Sequence, residues 1–235
     1  MISQQINDVI TGPEEFEHFG RCLRIFPTLS TARAGRFPTQ AVVVTSAARR
    51  IIALSKEGEK LQSVVIMGSD ADPTAHPDFT EISLNIRELL NKHFNKAKLH
   101  LVSDKPVFSD ARARHAVCYF DFPVLRFEAS SPKTYKALTG LDKAAFETLV
   151  ASLKHLEGDK IIIAADLVRG DIDNSSDKEI KAWIELLRDV RPTGIQLTSK
   201  GDKDMGTKPI TKTRLAQIVE LLTEELGVTP EVLEA

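Results

Sequence analysis

The chain has 235 residues, of which 42% are hydrophobic and 27% are charged, a composition typical of a globular protein and not of a disordered or fibrous one. Its 31 basic and 33 acidic residues give a formal net charge of −2, which excludes a general electrostatic attraction to nucleic acid or to an anionic membrane. Two cysteines, Cys22 and Cys118, are too few for a four-cysteine zinc site, a self-contained iron–sulfur cluster or a disulfide scaffold.

The N-terminal residues lack the basic and then apolar pattern of a signal peptide, and no apolar run approaches the roughly 18 residues of a membrane helix. These features predict a cytoplasmic protein with no membrane partner. Its two cysteines are then expected to be reduced thiols.

Short apolar runs alternate with amphipathic stretches along the chain. The predicted strands, in chain order, are Leu23–Phe26, Val64–Met67, Leu99–Val102, Val124–Glu128, Lys160–Ala165 and Gly194–Leu197. The predicted helices cover 39–54, 82–90, 109–116, 146–156, 180–187 and 215–222. We expect Asp78, Ser109, and either Ser176 or Asp177 to cap three of these helices, and Gly227 to end the last one.

Strands that are apolar throughout, separated by helices, are typical of a parallel sheet with covered faces or of a barrel. Six such units predict an α/β fold, a partial (β/α)6 TIM-like barrel, because a full eight-unit barrel normally needs about 250 residues. An open doubly wound α/β sheet is the alternative. No Ser/Gly-rich linker divides the chain, so we predict a single domain, 1–235, in which 1–60 is a divergent, basic N-terminal part.

In both architectures ligands bind at the carboxyl ends of the strands. The loop Gly68–Pro77 follows the second predicted strand and places two carboxylates, a hydroxyl and an imidazole within the seven positions 70–76. Asp70, Asp72 and His76 could hold a divalent metal, or the carboxylates could hold a ligand amine. The alternative is a rigid turn in which an aspartate caps backbone groups and His76 is a hydrogen-bonded structural residue.

No acidic residue occurs between His18 and Lys56, while arginines are frequent there. Arg21, Arg24, Arg33 and Arg36 are candidate anion-binding residues, because the guanidinium fork matches phosphate and carboxylate. The alternative is that these arginines pair with the neighbouring acidic segment Glu14–Glu17. Nucleic acid is not an expected partner, because only 6% of the residues are aromatic and no base-stacking motif is present.

The two thiols differ in their sequence surroundings. Cys118 precedes Tyr119 and Phe120, and this apolar setting predicts a buried, inert thiol. Cys22 lies between Arg21 and Arg24, so we expect it to be the more reactive of the two.

From about residue 64 to the C-terminus the chain resembles a known family. The stretch Ser69–Pro77, reading Ser-Asp-Ala-Asp-Pro-Thr-Ala-His-Pro, resembles the Gly-Asn-Gly-Glu-Pro-Thr-Leu-His-Pro stretch of radical S-adenosylmethionine (SAM) proteins related to wyosine-type tRNA-modifying enzymes. Later units of that barrel are resembled by Arg126–Ser130 before Thr134 and Tyr135, and by the segments Leu167–Asn174, Glu179–Leu187 and Pro192–Leu197.

The resemblance implies a barrel with its ligand at the strand ends. Asp72 stands where the family has the glutamate that holds the amino group of the bound methionine. The residues that we predict to bind a cofactor or ligand are Ser69, Asp70, Asp72, Glu128, Arg169 and Gln196. The expected ligand is a nucleoside-bearing or anionic small molecule, such as SAM or a related nucleoside.

The family binds a 4Fe–4S cluster through a Cys-x-x-x-Cys-x-x-Cys motif, and the corresponding region, Phe26 to Thr45, contains no cysteine. The first hypothesis is therefore a degenerate, cluster-less member that binds its ligand without radical catalysis, as a sensor or as a non-catalytic partner subunit. The second is an active non-radical enzyme that uses Asp, His and Glu for divalent-metal or acid–base chemistry. The third is a radical SAM enzyme that takes cluster ligands from elsewhere. A second copy of the chain and a different subunit are both open as protein partners.

Overall fold

The computed structural model describes residues 8–29, 37–108, 110–156 and 160–233. The chain forms two compact units, Met1–Pro123 (unit 1) and Val124–Ala235 (unit 2). That the whole chain is one domain stays a prediction.

Unit 1 is built on parallel strands with one antiparallel strand at the edge. Its strands are β1 (Ile10–Glu15), β2 (Arg21–Ile25), β3 (Ser63–Met67) and β4 (Lys98–Ser103). They are hydrogen-bonded in the order β1-β2-β3-β4, with β1 antiparallel to β2 and the other pairs parallel. The helices are α1 (Gln40–Lys56), α2 (Phe79–His93) and α3 (Ala111–His115).

The long helices of unit 1 form because their apolar residues recur at helical spacing. In α1 the buried residues are Val43, Ala47, Ile51 and Leu54, which share one face. The Thr39 side chain caps this helix by accepting a hydrogen bond from the Val42 amide. A separate buried cluster of Phe19, Cys22 and Val65 packs against Phe16, Met67 and Val102.

Unit 2 consists of parallel strands, helices and a small ribbon. Strand β5 (Phe122–Arg126), whose first two residues belong to unit 1, leads into helices α4 (Pro132–Thr139) and α5 (Lys143–Lys154). The elements after α5 are β6 (Ile162–Asp166), β7 (Val168–Gly170), α6 (Asp177–Val190), β8 (Gly194–Thr198), β9 (Thr207–Pro209), α7 (Lys212–Leu226) and β10 (Glu231–Val232). The parallel order is β5-β6-β8-β10, and β7 pairs antiparallel with β9.

The two faces of the unit 2 sheet differ. Residues at odd positions, such as Leu125, Ile163 and Ile195, are almost fully buried. Helices cover this face, where Phe127 packs on Phe146 of α5 and accepts a hydrogen bond from Trp183 of α6 at its carbonyl oxygen. Residues at even positions are only half-buried. The second face therefore carries the polar side chains.

Each predicted strand and helix is present to within a few residues, with corrections at the caps. Asp110 caps α3 by accepting from the Ala113 amide, while the predicted cap Ser109 lies outside the described residues. Ser176, not Asp177, caps α6. Asp78 occupies the N-cap position of α2 but forms no side-chain capping bond. The elements that we did not predict are β1, α4, β10 and the β7–β9 ribbon.

In the part of the chain that the structure describes, no helix has both the length and the apolar character needed to cross a membrane.

Candidate ligand-binding site

The carboxylate of Asp72 is the centre of the loop that follows β3. It accepts hydrogen bonds from the Thr74 amide at 2.9 Å, the Thr74 hydroxyl, the Ser103 hydroxyl at 2.8–2.9 Å and the Lys105 amide at 2.9 Å. The Thr74 hydroxyl in turn accepts from the Val107 amide at 2.7 Å. Asp72 therefore joins the loop after β3 to the loop after β4.

Four donors use the whole acceptor capacity of this carboxylate, because an ionised carboxyl offers about four lone-pair positions. Burial raises the pKa of Asp72 above its ordinary value, although the four hydrogen bonds oppose that effect. Binding a ligand amine at Asp72 would require one of these donors to be displaced. We call Asp72 and the donors that it holds from the two loops the loop clamp. This arrangement agrees with the alternative in which an aspartate caps backbone groups of a turn.

The other predicted residues of this loop are placed differently. Ser69 and Asp70 are exposed. His76 is 3% exposed, and both ring nitrogens are engaged: Nε2 lies 2.8 Å from the Pro38 carbonyl oxygen, and Nδ1 accepts from the Asp78 amide at 3.0 Å. His76 is thus placed as a hydrogen-bonded structural residue.

The predicted metal set does not come together as a coordination sphere. Among the described residues, no group of three or more His, Cys, Asp or Glu side chains could hold a metal ion. The structure therefore does not bring Asp70, Asp72 and His76 together into a three-residue metal site.

The predicted anion-binding arginines have acidic partners. Arg21 forms an ion pair with Glu59 at 2.9 Å, and Arg24 forms one with Glu14. The Arg24 guanidinium also lies over the Phe16 ring, 4.5 Å from its centroid. The Arg24–Glu14 pair agrees with the pairing alternative, while Arg33 and Arg36 lie outside the described residues.

The prediction for the two cysteines was wrong in both cases. Cys22 is fully buried on β2, and burial raises the pKa of its thiol to about 11 despite the opposing charge of Arg24. Cys118 is exposed, and its sulfur lies 3.7 Å from Nε2 of His115. The neighbouring Val117 and Phe120 point into the core instead, because the short helical turn Ala116–Tyr119 rotates Cys118 outward.

In unit 2 the strand register brings several polar side chains onto one half-buried face. Arg126 is paired with Ala164, which is paired with Gln196, and Asp166 is paired with Thr198. Residues paired in parallel strands project from the same side of a sheet. We call the set Arg126, Glu128, Asp166, Gln196 and Thr198 the polar sheet face.

Hydrogen bonds fix the orientation of this face. Glu128 accepts from the Asp166 amide at 2.7 Å, and its carboxylate lies 3.4 Å from Nε of Arg126. Oδ1 of Asp166 accepts from the Thr198 hydroxyl at 3.1 Å and from the Lys200 amide at 2.8 Å. Gln196 donates to Glu231 at 3.0 Å. Oδ2 of Asp166 and Oε1 of Gln196 have no partner among the described residues and are open acceptors.

Asn174 is buried next to this face and holds the main chain of its strand ends. Its amide donates to the carbonyl oxygens of Glu128 at 3.0 Å and Asp166 at 2.9 Å, and its side-chain oxygen accepts from the Val168 amide at 2.8 Å. Asn174 and Asp166 were not among the predicted site residues. Asp166 could have been found as the polar residue that ends an apolar strand, whereas the role of Asn174 depends on tertiary contacts.

Arg169 is not on the polar sheet face. It lies on the β7–β9 ribbon and lines a cavity of about 380 Å³, which we call the ribbon cavity. Asp173, Ser175, Asp177, Thr211 and Arg214 also line this cavity. The predicted ligand residues therefore lie in three different places. Asp72 belongs to the loop clamp, Glu128 and Gln196 belong to the polar sheet face, and Arg169 belongs to the ribbon cavity.

A scan of the sequence against models of protein families finds no match, and a search of curated proteins finds none either. Solved structures do show similarity. A radical SAM methyltransferase from Sphaerobacter thermophilus has a TM-score of 0.57 and 15% identity, over 85% of this chain and 59% of that chain. A domain of pyruvate-formate lyase-activating enzyme from Bacteroides vulgatus has a TM-score of 0.53 and 15% identity, over 72% of this chain and 97% of that chain. Streptococcus suis SuiB bound to S-adenosylmethionine has a TM-score of 0.57 and 16% identity, over 80% of this chain and 41% of that chain.

The chain has a radical SAM-like fold. This similarity confirms the predicted fold class, an α/β fold with mostly parallel strands and flanking helices that matches the partial barrels of these neighbours. The chain spans about three fifths of the methyltransferase and two fifths of SuiB. At this level of identity the similarity concerns the fold alone.

The residues of this chain do not fit an iron–sulfur cluster of the kind that the sequence resemblance implies. A cluster needs several thiolates, and the sequence contains two cysteines. Cys22 lies in an apolar cluster, where its raised pKa favours the protonated thiol. Residues 26–45, where the sequence resemblance places the cluster motif, contain no cysteine.

Proposed function

We propose that this radical SAM-like protein binds a nucleoside-bearing or anionic small molecule on the polar sheet face of unit 2 and does so without radical catalysis. The observation that carries the proposal is the register that places Arg126, Asp166 and Gln196 on one half-buried face at the carboxyl ends of the strands. Ligands of α/β proteins bind at this edge of the sheet.

The chemistry of the face suits such a ligand. The Arg126 guanidinium, whose side chain is 40% exposed, can donate to a carboxylate or phosphate. The open acceptor atoms of Asp166 and Gln196 can receive hydrogen bonds from ribose hydroxyls or from an amino group. Because Thr198, Lys200 and Glu231 already hold these two side chains, little rotamer entropy is lost on binding.

SAM is one candidate ligand, since a structural neighbour, SuiB, is seen bound to it. In our proposal the ligand does not use Asp72 in the way that the sequence resemblance implies, because the four donors around that carboxylate already saturate it. The proposed role is that of a ligand sensor or of a non-catalytic partner subunit.

The test is calorimetric titration of the purified protein with SAM and, separately, with adenosine. We expect binding of at least one of these two probes. Gln196→Ala should weaken that binding roughly tenfold, which corresponds to the loss of one well-placed hydrogen bond. Gln217→Ala is the matched control, because Gln217 is exposed on α7. Absence of binding for both probes, or equal affinity in the Gln196 variant, would overturn the proposal.

A second variant separates the polar sheet face from the loop clamp. Asp72→Asn puts an amide group among four donors, so we expect a free energy of unfolding lower by about 2–3 kcal/mol with unchanged ligand affinity in the remaining folded protein. If Asp72→Asn instead abolished binding and left the urea midpoint unchanged, Asp72 would be a ligand residue and our placement of the site would be wrong.

A further inference from the structure

We propose that the ribbon cavity is a second binding site, which takes a phosphate monoester that also carries hydroxyl groups. The cavity belongs to unit 2, and the polar sheet face does not contribute to its lining. Its volume of about 380 Å³ is in the lower part of the range found for small-molecule pockets, roughly 300–1,000 Å³.

Arg169 supplies the first anion-binding group. Its Nε donates to the Pro209 carbonyl oxygen at 3.1 Å across the β7–β9 ribbon, which fixes the direction of the guanidinium. Neither of its terminal amino groups has a partner among the described residues. A guanidinium that is held at one nitrogen and free at the other two can bind an oxyanion in a forked geometry.

Arg214 supplies the second anion-binding group from the first turn of α7. Its Nε and Nη2 both donate to the Ser175 carbonyl oxygen, at 3.0 and 2.6 Å, and Nη2 also pairs with Asp177 at 2.7 Å. Its Nη1 has no partner in the described part of the chain. Two arginines therefore line one cavity, and a main-chain carbonyl oxygen fixes the position of each guanidinium group. Each guanidinium group keeps N–H donors that can bind a ligand.

The end of α7 reinforces this charge. Thr211 caps the helix and lines the cavity, and the first turn of α7 contains no acidic residue. The positive end of that helix dipole is therefore not compensated by its own side chains. By contrast, Asp177 and Glu179 occupy the first turn of α6, so we assign the anion to the α7 side of the cavity.

Asp173 decides which kind of phosphate compound fits. Its Oδ1 is held by the amide and hydroxyl of Ser175, at 2.9 and 2.8 Å. Its Oδ2 has no partner among the described residues, so it can accept a hydrogen bond from a ligand hydroxyl. The same carboxylate repels a small bare dianion. A phosphate ester with hydroxyls satisfies both ends of the cavity, and free phosphate satisfies only the arginine end.

The experiment uses three probes by calorimetric titration: ribose 5-phosphate, inorganic phosphate and ribose. We expect ribose 5-phosphate to bind most tightly and ribose not to bind. Arg169→Gln should weaken binding of both phosphate probes roughly tenfold or more. Asp173→Asn should weaken ribose 5-phosphate but not inorganic phosphate. Arg169 is exposed and Asp173 lies in a surface loop, so both variants are expected to fold.

The control is Lys181→Gln, which makes the same change in charge at an exposed position of α6 that does not line the cavity. It should leave both affinities unchanged. The proposal is overturned if neither phosphate probe binds, if Arg169→Gln binds as the parent does, or if Lys181→Gln loses as much affinity as Arg169→Gln. Because Gln196 does not line this cavity, Gln196→Ala should leave ribose 5-phosphate binding intact, and the two proposals therefore fail independently.

Discussion

His100 on β4 lies between two aromatic rings of unit 1. It stacks on Phe122 with 5.1 Å between ring centroids and meets the edge of Phe19 at 5.0 Å. Burial lowers the pKa of His100 from 6.5 to about 4; the charge of Asp121 opposes this effect, while His18 and Lys98 add to it. The folded state therefore favours the neutral imidazole more strongly than the unfolded state does.

The sign of the pH dependence follows from that difference. Below pH 6.5 the unfolded chain takes up a proton at this histidine while the folded chain does not, so stability falls as pH drops from 6.5 to about 4. The full shift corresponds to roughly 3 kcal/mol, and because the ring is only partly buried we expect about 1–2 kcal/mol. Urea unfolding at a series of pH values measures this loss.

His100→Phe keeps the aromatic packing and removes the titration, so this variant should lose less stability between pH 6.5 and 4 than the parent does. His155 is exposed at the end of α5, and His155→Gln should retain the parental pH profile. An unchanged profile in His100→Phe would show that a different group governs the acid sensitivity.

At the scale of elements, Asn174 ties the ends of β5 and β6 to the start of β7. It is 3% exposed, and its side chain satisfies three main-chain groups. Asn174→Ala leaves those groups without partners, and we expect the free energy of unfolding to fall by about 3 kcal/mol or more. Asn174→Asp places a carboxylate oxygen against two carbonyl oxygens and should be still less stable at neutral pH.

Urea unfolding of both variants at pH 7 and at pH 4 tests this prediction. The difference in free energy of unfolding between Asn174→Ala and Asn174→Asp should be smaller at pH 4 than at pH 7, because protonation removes the charge of the introduced carboxyl group. Asn91→Asp, at an exposed position of α2, is the control and should cost little at either pH. Equal stabilities of Asn174→Asp and the parent would contradict the role of the Asn174 amide group as the donor to the two carbonyl oxygens.

Local patterns were sufficient to predict the elements whose own residues determine them. The apolar runs of β3 and β6 and the apolar face of α7 are visible in the sequence, and α7 ends at Gly227, which adopts a left-handed conformation with φ of 68°. The β7–β9 ribbon was missed because each strand has three residues and its pairing joins segments far apart in the chain. Strand β1 was missed because it contains Gly12 and Pro13 and two glutamates, which are unfavourable in strands.

The site was predictable only as a location. Two of the predicted ligand residues lie near the carboxyl ends of strands, Glu128 just after β5 and Gln196 within β8, while their role as ligand residues stays a prediction. Which carboxylates have free oxygen atoms could not be predicted, because that depends on donors brought in by other loops. Ser103 and Lys105 saturate Asp72 from the loop after β4. The turn at Ala116–Tyr119 likewise exposes Cys118, against the apolar pattern of its neighbours.

At the scale of the whole chain, a radical SAM-like fold is combined with a sequence that contains two cysteines. Folds of this class host many reactions, because function depends on side chains at the strand ends and not on the sheet itself. The polar sheet face and the ribbon cavity both lie in unit 2, whereas Cys22, Cys118 and Asp72 lie in unit 1. The proposed ligand sites therefore need neither of the two thiols.

This separation predicts the outcome of cluster reconstitution. After anaerobic incubation with iron and sulfide, we expect far less than four iron atoms per chain and no stable brown absorption, because two thiols, one of them buried, cannot supply three thiolate ligands. The Cys22→Ser, Cys118→Ser double variant should behave like the parent in iron content and spectrum. A stoichiometric cluster that disappears in the double variant would show that the native thiols bind it. A cluster present in both proteins would show that ligands other than cysteine suffice. Either result would refute the proposal that the protein acts without radical catalysis. Neither result bears on the proposed phosphate site, which has its own test.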